Sequence, residues 1–128
     1  MSKSALILFA HGARAASWAA PFQRLQKLTQ ESLPEIQVEL AFLELMQPPL
    51  PELVADLVKK GCEAITITPI FLGQGAHLLR DLPLMVDELR LSYPKLNIKQ
   101  VGAAGEDAEV LNSIRDYCVR SSLVDQEI

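Results

Sequence analysis

The sequence lacks the features that mark nucleic-acid-binding, membrane and secreted proteins. It has 12 Lys and Arg against 16 Asp and Glu, so its net charge of −4 leaves no basic footprint for nucleic acid. No apolar run approaches the roughly 20 residues of a membrane helix. The apolar run at 5–10 is too short for a signal sequence, and Arg14 follows it. We therefore expect a cytoplasmic protein with neither nucleic acid nor a membrane as partner.

Cysteine and histidine are both scarce. The two cysteines, Cys62 and Cys118, are far apart and outside any Cys-x-x-Cys pair. This usage favours two buried, reduced thiols over a disulfide framework or a zinc site. Only two histidines are present, His11 and His77, so any chemistry that needs imidazole must use them.

The length and composition predict one folded domain. The chain has 128 residues, of which 49% are apolar and 22% charged, as in ordinary globular proteins. We expect a single domain over residues 1–120 and a frayed C-terminal tail over residues 121–128.

Strand patterns alternate with helix patterns along the chain. The apolar and β-branched runs predict four strands, at residues 5–10, 36–43, 62–71 and 96–101. Helical periodicity and end signals predict helices at residues 17–32, 51–60 and from Asp81 or Pro83 to 92, with a last one capped by Glu106 or Asp107. The last helix carries an apolar face with Leu111 and Ile114. The fold class is therefore α/β, a four-stranded parallel sheet with helices on both faces, in the flavodoxin-like order 2-1-3-4.

Polar residues follow three neighbouring strands of this sheet. His11 follows strand 1 and His77 the loop after strand 3, while Glu44 closes strand 2. Ligands of open parallel sheets bind beyond the carboxyl ends of the strands, where the strand order reverses. Two imidazoles and a carboxylate suit a divalent ion such as cobalt, iron, nickel or zinc, and equally suit a proton relay.

Small residues and two arginines surround these positions. Gly12 and Gly75 belong to loops of small residues that leave room for a large flat ligand, and Arg14 and Arg80 can attract carboxylates. The plainer alternatives are solvated histidines, a solvated Glu44, surface arginines, and glycines that only form tight turns.

Three phrases of the sequence resemble the class II tetrapyrrole chelatases, and among them the short sirohydrochlorin cobaltochelatases. They are Leu-Phe-Ala-His-Gly-Ala-Arg at 8–14, Ala-Phe-Leu-Glu at 41–44, and Pro-Ile-Phe-Leu at 69–72 with Gly-Ala-His at 75–77 and Asp-Leu-Pro at 81–83. The resemblance covers about residues 4 to 118. It implies a chelatase-like fold.

The resemblance also implies a function. The activity would be insertion of a divalent metal, cobalt first and iron or nickel as alternatives, into sirohydrochlorin without ATP. The metal would be a substrate, with no permanent cofactor. His11, His77 and Glu44 match the family's catalytic and metal-binding residues. Longer members carry two such domains, so the resemblance implies a homodimer here.

Two other functions compete with this one. A non-catalytic tetrapyrrole or metal carrier would use the same ligands. A histidine-phosphatase-like enzyme also has His-Gly after strand 1, but it normally has Arg directly before that histidine, where this chain has Ala10.

Overall fold

Four parallel strands form one sheet. The computed structural model describes residues 3–73 and 75–123, without the side chain of His77. The strands are β1 (Ser4–Ala10), β2 (Gln37–Phe42), β3 (Ala64–Pro69) and β4 (Asn97–Gln100). They pair in the order β2-β1-β3-β4, and every pairing is parallel. The predicted fold class and strand order are confirmed.

In the described stretches, four α-helices and two short 3-10 helices connect and follow the strands. A 3-10 turn (Ala16–Ala19) leads into α1 (Ala20–Ser32); then come α2 (Leu50–Lys59), α3 (Ala76–Ser92), a second 3-10 turn (Ala104–Glu106) and α4 (Ala108–Leu123). Gly61 follows α2 with a φ of 94°, as expected for a glycine that ends a helix. Asp107 caps α4, because its carboxylate accepts the N–H of Val110 at 3.2 Å.

The sheet is covered by helices on both faces. The chain moves from β1 to β2 in one direction and from β2 through β3 to β4 in the other, so right-handed crossovers place α1 opposite α2 and α3. On one face, Phe22 and Leu25 of α1 pack against a cluster that includes Leu8 and Leu40. The larger core lies on the other face, where α2 and α3 cover β1 and β3. Its largest fully buried side chains are Ile7, Phe9, Leu50, Val54, Leu57, Ile65, Ile67, Leu82 and Val86.

Helix α3 begins five residues before the earliest predicted start. The prediction of Asp81 or Pro83 as its first residue was wrong, and His77 consequently lies in the first helical turn rather than in a loop. The carbonyl of Gly75 accepts hydrogen bonds from two N–H groups of this turn, each at 3.1 Å. Pro83 has no N–H and sits inside the helix. The buried residues Leu78, Leu82 and Val86 recur at every fourth position, and their burial outweighs the missing hydrogen bond.

Helix α4 does not contribute to the core. No residue of α4 is buried, and Leu111 and Ile114 of its apolar face are 49% and 38% exposed. The helix continues to Leu123, so the first three residues of the predicted tail are helical, and residues 124–128 lie outside the described part.

The two cysteines differ in environment. Both are free, as expected, but only Cys62 is buried and Cys118 is exposed. Burial raises the pKa of the Cys62 thiol, which donates to the carbonyls of Lys3 and Ala64 at 3.4 Å. Within the described stretches, no helix has the length and hydrophobicity to cross a bilayer.

A glycine locks the segments that follow β3 and β4 together. The N–H of Gly105 donates to the carbonyl of Phe71 at 2.7 Å. A Cβ atom at this position would lie 1.8 Å from the carbonyl oxygen of Leu72, so no other residue fits without a backbone shift. This contact fixes the carboxyl edge of the sheet on the β4 side.

We expect Gly105→Ala to lower the free energy of unfolding by about 1–3 kcal/mol, because the added methyl group must displace backbone. Gly102→Ala is the matched control, since a Cβ there meets no described atom within 4 Å. Urea denaturation of both variants is the measurement. Equal stabilities of the two variants would contradict the close approach.

Candidate functional site

The loops that follow β1 and β2 are joined by one carboxylate. The N–H of Leu43 donates to the carbonyl of Ala10 at 2.8 Å, which continues the strand pairing to the sheet edge. There, Glu44 Oε1 lies 3.1 Å from His11 Nδ1, and Glu44 Oε2 accepts the Gly12 N–H at 2.9 Å. The predicted meeting of His11 and Glu44 is therefore observed.

Gly12 makes this arrangement sterically feasible. A Cβ atom at Gly12 would lie 1.8 Å from the carbonyl oxygen of Glu44 and 3.0 Å from its carbonyl carbon. Gly12 therefore allows two backbone segments to approach closely, which is more than a glycine in an ordinary tight turn has to do.

Glu44 is negatively charged at neutral pH. Partial burial favours its neutral form, but the hydrogen bonds from Gly12 and His11 prevail and hold the pKa of its carboxyl below the ordinary value of 4.5. The side chains of His11 and Glu44 are 49% and 44% exposed. The pair is thus oriented by hydrogen bonds and open to a ligand.

Two aromatic residues position His11, and sequence reasoning assigned neither to the site. The imidazole ring packs against Phe71, with 4.7 Å between ring centroids. The indole Nε1–H of Trp18 donates to the His11 carbonyl at 2.7 Å. Trp18 is 42% exposed. The seven-residue spacing to His11 contains no signal of this backbone contact.

A cleft opens beside His11. It has a volume of about 290 Å³ and is lined by His11, Leu43, Gly75, Leu78, Asp81 and Met85. The first turns of α3 form one of its walls, and His77 stands in the chain between two lining residues. The side chain of His77 lies outside the described part, and within that part no cluster of three or more His, Cys, Asp or Glu residues could hold a metal.

The rim of the site is more apolar than expected. The loops of small residues were expected to leave room for a large flat ligand, but bulky apolar side chains are also exposed beside them. Leu45 after β2, Leu72 after β3 and Leu79 in α3 are 63%, 69% and 56% exposed. Arg14 and Arg80 are also exposed, and Arg80 Nε lies 3.6 Å from Asp81 Oδ1.

The chain is similar to known proteins over most of its length. The family model CbiX matches residues 5–120. Sirohydrochlorin cobaltochelatase of Methanopyrus kandleri is 30% identical over 82 residues, which are 64% of this chain and 57% of that protein. The protein of the same name from Sulfurisphaera tokodaii is 25% identical over 117 residues, 91% of this chain and 95% of that protein. The matches to the methanogen proteins span little more than half of their length.

Solved structures share the fold. A CbiX protein of Marinobacter aquaeolei, named for cobalamin biosynthesis, superposes with a TM-score of 0.82 at 30% identity, covering 92% of this chain and 96% of that one. The sirohydrochlorin chelatase SirB of Bacillus subtilis subspecies spizizenii, solved with cobalt, gives 0.78 at 23% identity, covering 94% of this chain but 51% of the other. This second likeness shows the fold alone, and it spans half of the longer protein.

The depressed pKa of Glu44 predicts a pH-dependent stability. Because the pKa of this carboxyl is lower in the folded than in the unfolded chain, its contribution is present above about pH 4.5 and is lost as the pH falls through the folded-state value. We expect Glu44→Gln to destabilise the protein at pH 7 by less than about 1 kcal/mol, since the pair is half-exposed. Urea denaturation should show that the difference shrinks toward pH 3. A difference that is unchanged between pH 7 and pH 3 would contradict the assignment.

Proposed function

This chain belongs to the CbiX family, and we propose that it inserts a divalent metal ion into sirohydrochlorin in an ATP-independent reaction. Cobalt is the first metal in this proposal, and iron and nickel are the alternatives, because imidazole ligands accept all three. The reaction would be a step of cobalamin or sirohaem-type tetrapyrrole biosynthesis. The observation that carries the proposal is the oriented pair of His11 and Glu44 beside an open cleft.

The pair suits delivery of a metal ion. When His11 Nδ1 carries the proton, it donates to Glu44 Oε1, and the lone pair of Nε2 is left available. A carboxylate that accepts a hydrogen bond from one imidazole nitrogen also makes the other nitrogen a stronger ligand for a metal ion. Both oxygens of Glu44 already accept hydrogen bonds, so direct ligation by Glu44 requires one of them to break. The geometry therefore supports His11 as ligand and Glu44 first as its positioning residue.

Metallation must also remove protons. The ring loses two N–H protons as the ion enters, and the ion sheds its water ligands. Glu44 is anionic and partly exposed, so it can accept a proton beside the ring and release it to solvent. One divalent ion enters the ring and two protons leave it, so the charges balance without a redox change or another reactant.

His77 is the proposed second histidine of the site. It lies in the first turn of α3, and its chain neighbours Gly75 and Leu78 line the cleft together with His11. This placement supports a role on the wall that faces His11. In the proposal, His77 binds the incoming ion or accepts a ring proton.

The rim would hold the tetrapyrrole. Exposed Leu45, Leu72 and Leu79 offer apolar surface to a flat macrocycle. Gly12 and Gly75 add no side chain beside the cleft, which leaves space for the ring. The exposed cations of Arg14 and Arg80 would attract its peripheral carboxylates.

The protein would act in the cytoplasm as a homodimer. Two free cysteines are compatible with a reducing compartment. The chain covers about half of each longer Bacillus chelatase, so two copies would supply the same length of chain. A cleft between two copies would also cover the exposed apolar rim.

The first test is anaerobic metallation of sirohydrochlorin with Co(II), Fe(II) and Ni(II), followed by absorbance. We expect multiple turnovers by the wild-type protein and a loss of about 100-fold or more in His11→Ala and His77→Ala, the usual size of a lost ligand or general base. Glu44→Gln should be impaired, whereas Glu52→Gln on the exposed start of α2 should not. If the protein binds one equivalent of the metal or the tetrapyrrole without turnover, it is a carrier and not a chelatase.

The second test concerns recognition of the ring. We expect Arg14→Ala and Arg80→Ala each to raise the KM for sirohydrochlorin about tenfold, because a hydrogen bond to a charged group contributes about 1.5–3 kcal/mol. The turnover number should change little. Arg24→Ala, on the exposed side of α1, is the control. If the KM is unchanged in both Arg14→Ala and Arg80→Ala, these arginines do not bind the ring.

A further inference from the structure

The residue that follows Glu44 has a strained backbone. Leu45 has a φ of 67°, and within the described stretches it is the one residue other than glycine with a positive φ. The N–H of Met46 donates to the carbonyl of Glu44 at 2.8 Å, so residues 44–46 form a γ-turn with Leu45 at its centre. A γ-turn with a positive central φ is rare and strained. A bulky side chain in this region of backbone conformation is an outlier.

Both ends of the γ-turn are fixed. Before it, the carboxylate of Glu44 is hydrogen-bonded to His11 and to the N–H of Gly12. After it, Met46 packs against the buried cluster on the α1 face of the sheet. Gly12 also lies against the turn itself, because a Cβ atom there would lie 1.8 Å from the Glu44 carbonyl oxygen and 3.2 Å from the Met46 nitrogen. Leu45 therefore cannot relax its backbone without moving one of these neighbours.

The side chain of Leu45 gains little from folding. It is 63% exposed, so most of its apolar surface stays in water. Glycine would adopt the same φ without strain. A leucine here thus costs folding free energy through its backbone and recovers little of it by burial. Strained residues of this kind cluster at active sites and ligand clamps.

We propose that Leu45 binds an apolar face of the tetrapyrrole, and that its strained turn is retained because it holds this side chain beside the carboxylate that contacts His11. The inference rests on the proposed function and assigns a substrate-binding residue to that site. Leu72 and Leu79 share the exposure of Leu45 on the rim but not its positive φ. The backbone strain therefore separates Leu45 from leucines that are merely exposed.

The position of Leu45 relative to His11 supports this ligand. Leu45 is one residue from Glu44, a Cα–Cα step of about 3.8 Å, and Glu44 Oε1 lies 3.1 Å from His11 Nδ1. A macrocycle that receives an ion from His11 is wider than this step, so it extends past Glu44. Leu43, on the other side of Glu44 in the chain, lines the cleft together with His11. Apolar residues on both sides of the carboxylate suit a ligand with apolar faces and an ionisable centre.

Three substitutions separate the effect of the strain from that of the side chain. Leu45→Gly removes both, whereas Leu45→Ala removes the side chain beyond Cβ and keeps the strain. Leu45→Met keeps the strain and restores a long apolar side chain. Leu28→Ala is the matched control, because Leu28 in α1 is 64% exposed, nearly the same as Leu45.

Thermal unfolding measures the strain. We expect Leu45→Gly to raise the melting temperature by about 3–5 °C, because relief of the strain outweighs the greater freedom of glycine in the unfolded chain. Leu45→Ala should stay close to the wild type. If Leu45→Gly is no more stable than Leu45→Ala, the turn is not strained and the proposal is wrong.

Titration with metal-free sirohydrochlorin, followed by absorbance, measures ring binding. We expect Leu45→Gly and Leu45→Ala each to raise the Kd about tenfold, since most of a leucine contact is lost. Leu45→Met and Leu28→Ala should bind the ring as the wild type does. Sedimentation velocity of the same proteins tests whether Leu45 instead contacts a second copy. An unchanged Kd in Leu45→Ala, with or without weaker self-association, would overturn the proposal.

Failure of this inference and failure of the proposed function give different results. If Leu45→Ala weakens ring binding but the wild type does not metallate the ring, Leu45 belongs to the ring site of a carrier. If the wild type metallates sirohydrochlorin and Leu45→Ala binds it equally well, the activity stands and the role of Leu45 is wrong. A wild type that does not bind sirohydrochlorin would contradict both.

Discussion

The interaction on which the site depends is the contact of one carboxylate with two neighbouring loops. Parallel pairing of β1 and β2 brings both carboxyl ends to the same edge, and Glu44 bridges them through His11 Nδ1 and the Gly12 N–H. Only glycine allows the backbones at this point to approach so closely. The result is a histidine whose Nδ1 is held by Glu44 and whose Nε2 has no hydrogen-bond partner among the described residues, in a position where ligands of parallel sheets ordinarily bind.

The same edge combines charge with apolar surface. The rim leucines are exposed although the chain has a well-filled core, and the imidazole of His11 rests on Phe71. A partly exposed anionic carboxylate beside such a surface suits a ligand that is flat, apolar on its faces and able to lose protons. The membership of the chain in the CbiX family agrees with that chemistry.

Much of the architecture could be predicted from local patterns. Apolar, β-branched runs such as 64–69 predict buried parallel strands, and Gly61 and Asp107 mark helix ends by their ordinary capping roles. The strand order and the approach of Glu44 to His11 followed from topology. Where prediction failed, tertiary contacts decided the outcome. Because Leu78 and Leu82 are buried against the core, α3 begins at Ala76, ahead of the predicted start at Asp81 or Pro83.

The remaining features that the sequence did not predict depend on contacts between distant parts of the chain. Sequence periodicity shows that α4 has an apolar face, but it cannot show that this face stays exposed in the part of the chain that the structure describes. The hydrogen bond from Trp18 to the His11 carbonyl depends on how the first 3-10 turn folds back, which no spacing rule encodes. The Trp18 contact belongs to the site, where local and global preferences differ most often.

The most direct test of the central claim is the tautomer of His11, measured by long-range proton–nitrogen NMR with and without Zn²⁺ as a diamagnetic probe. We expect a proton on Nδ1, as the contact with Glu44 requires, and a zinc-induced shift at Nε2 that is reduced in Glu44→Gln. His11→Ala identifies the resonances. A proton on Nε2, or no shift of either nitrogen with zinc, would show that Glu44 does not orient His11 toward a metal ion.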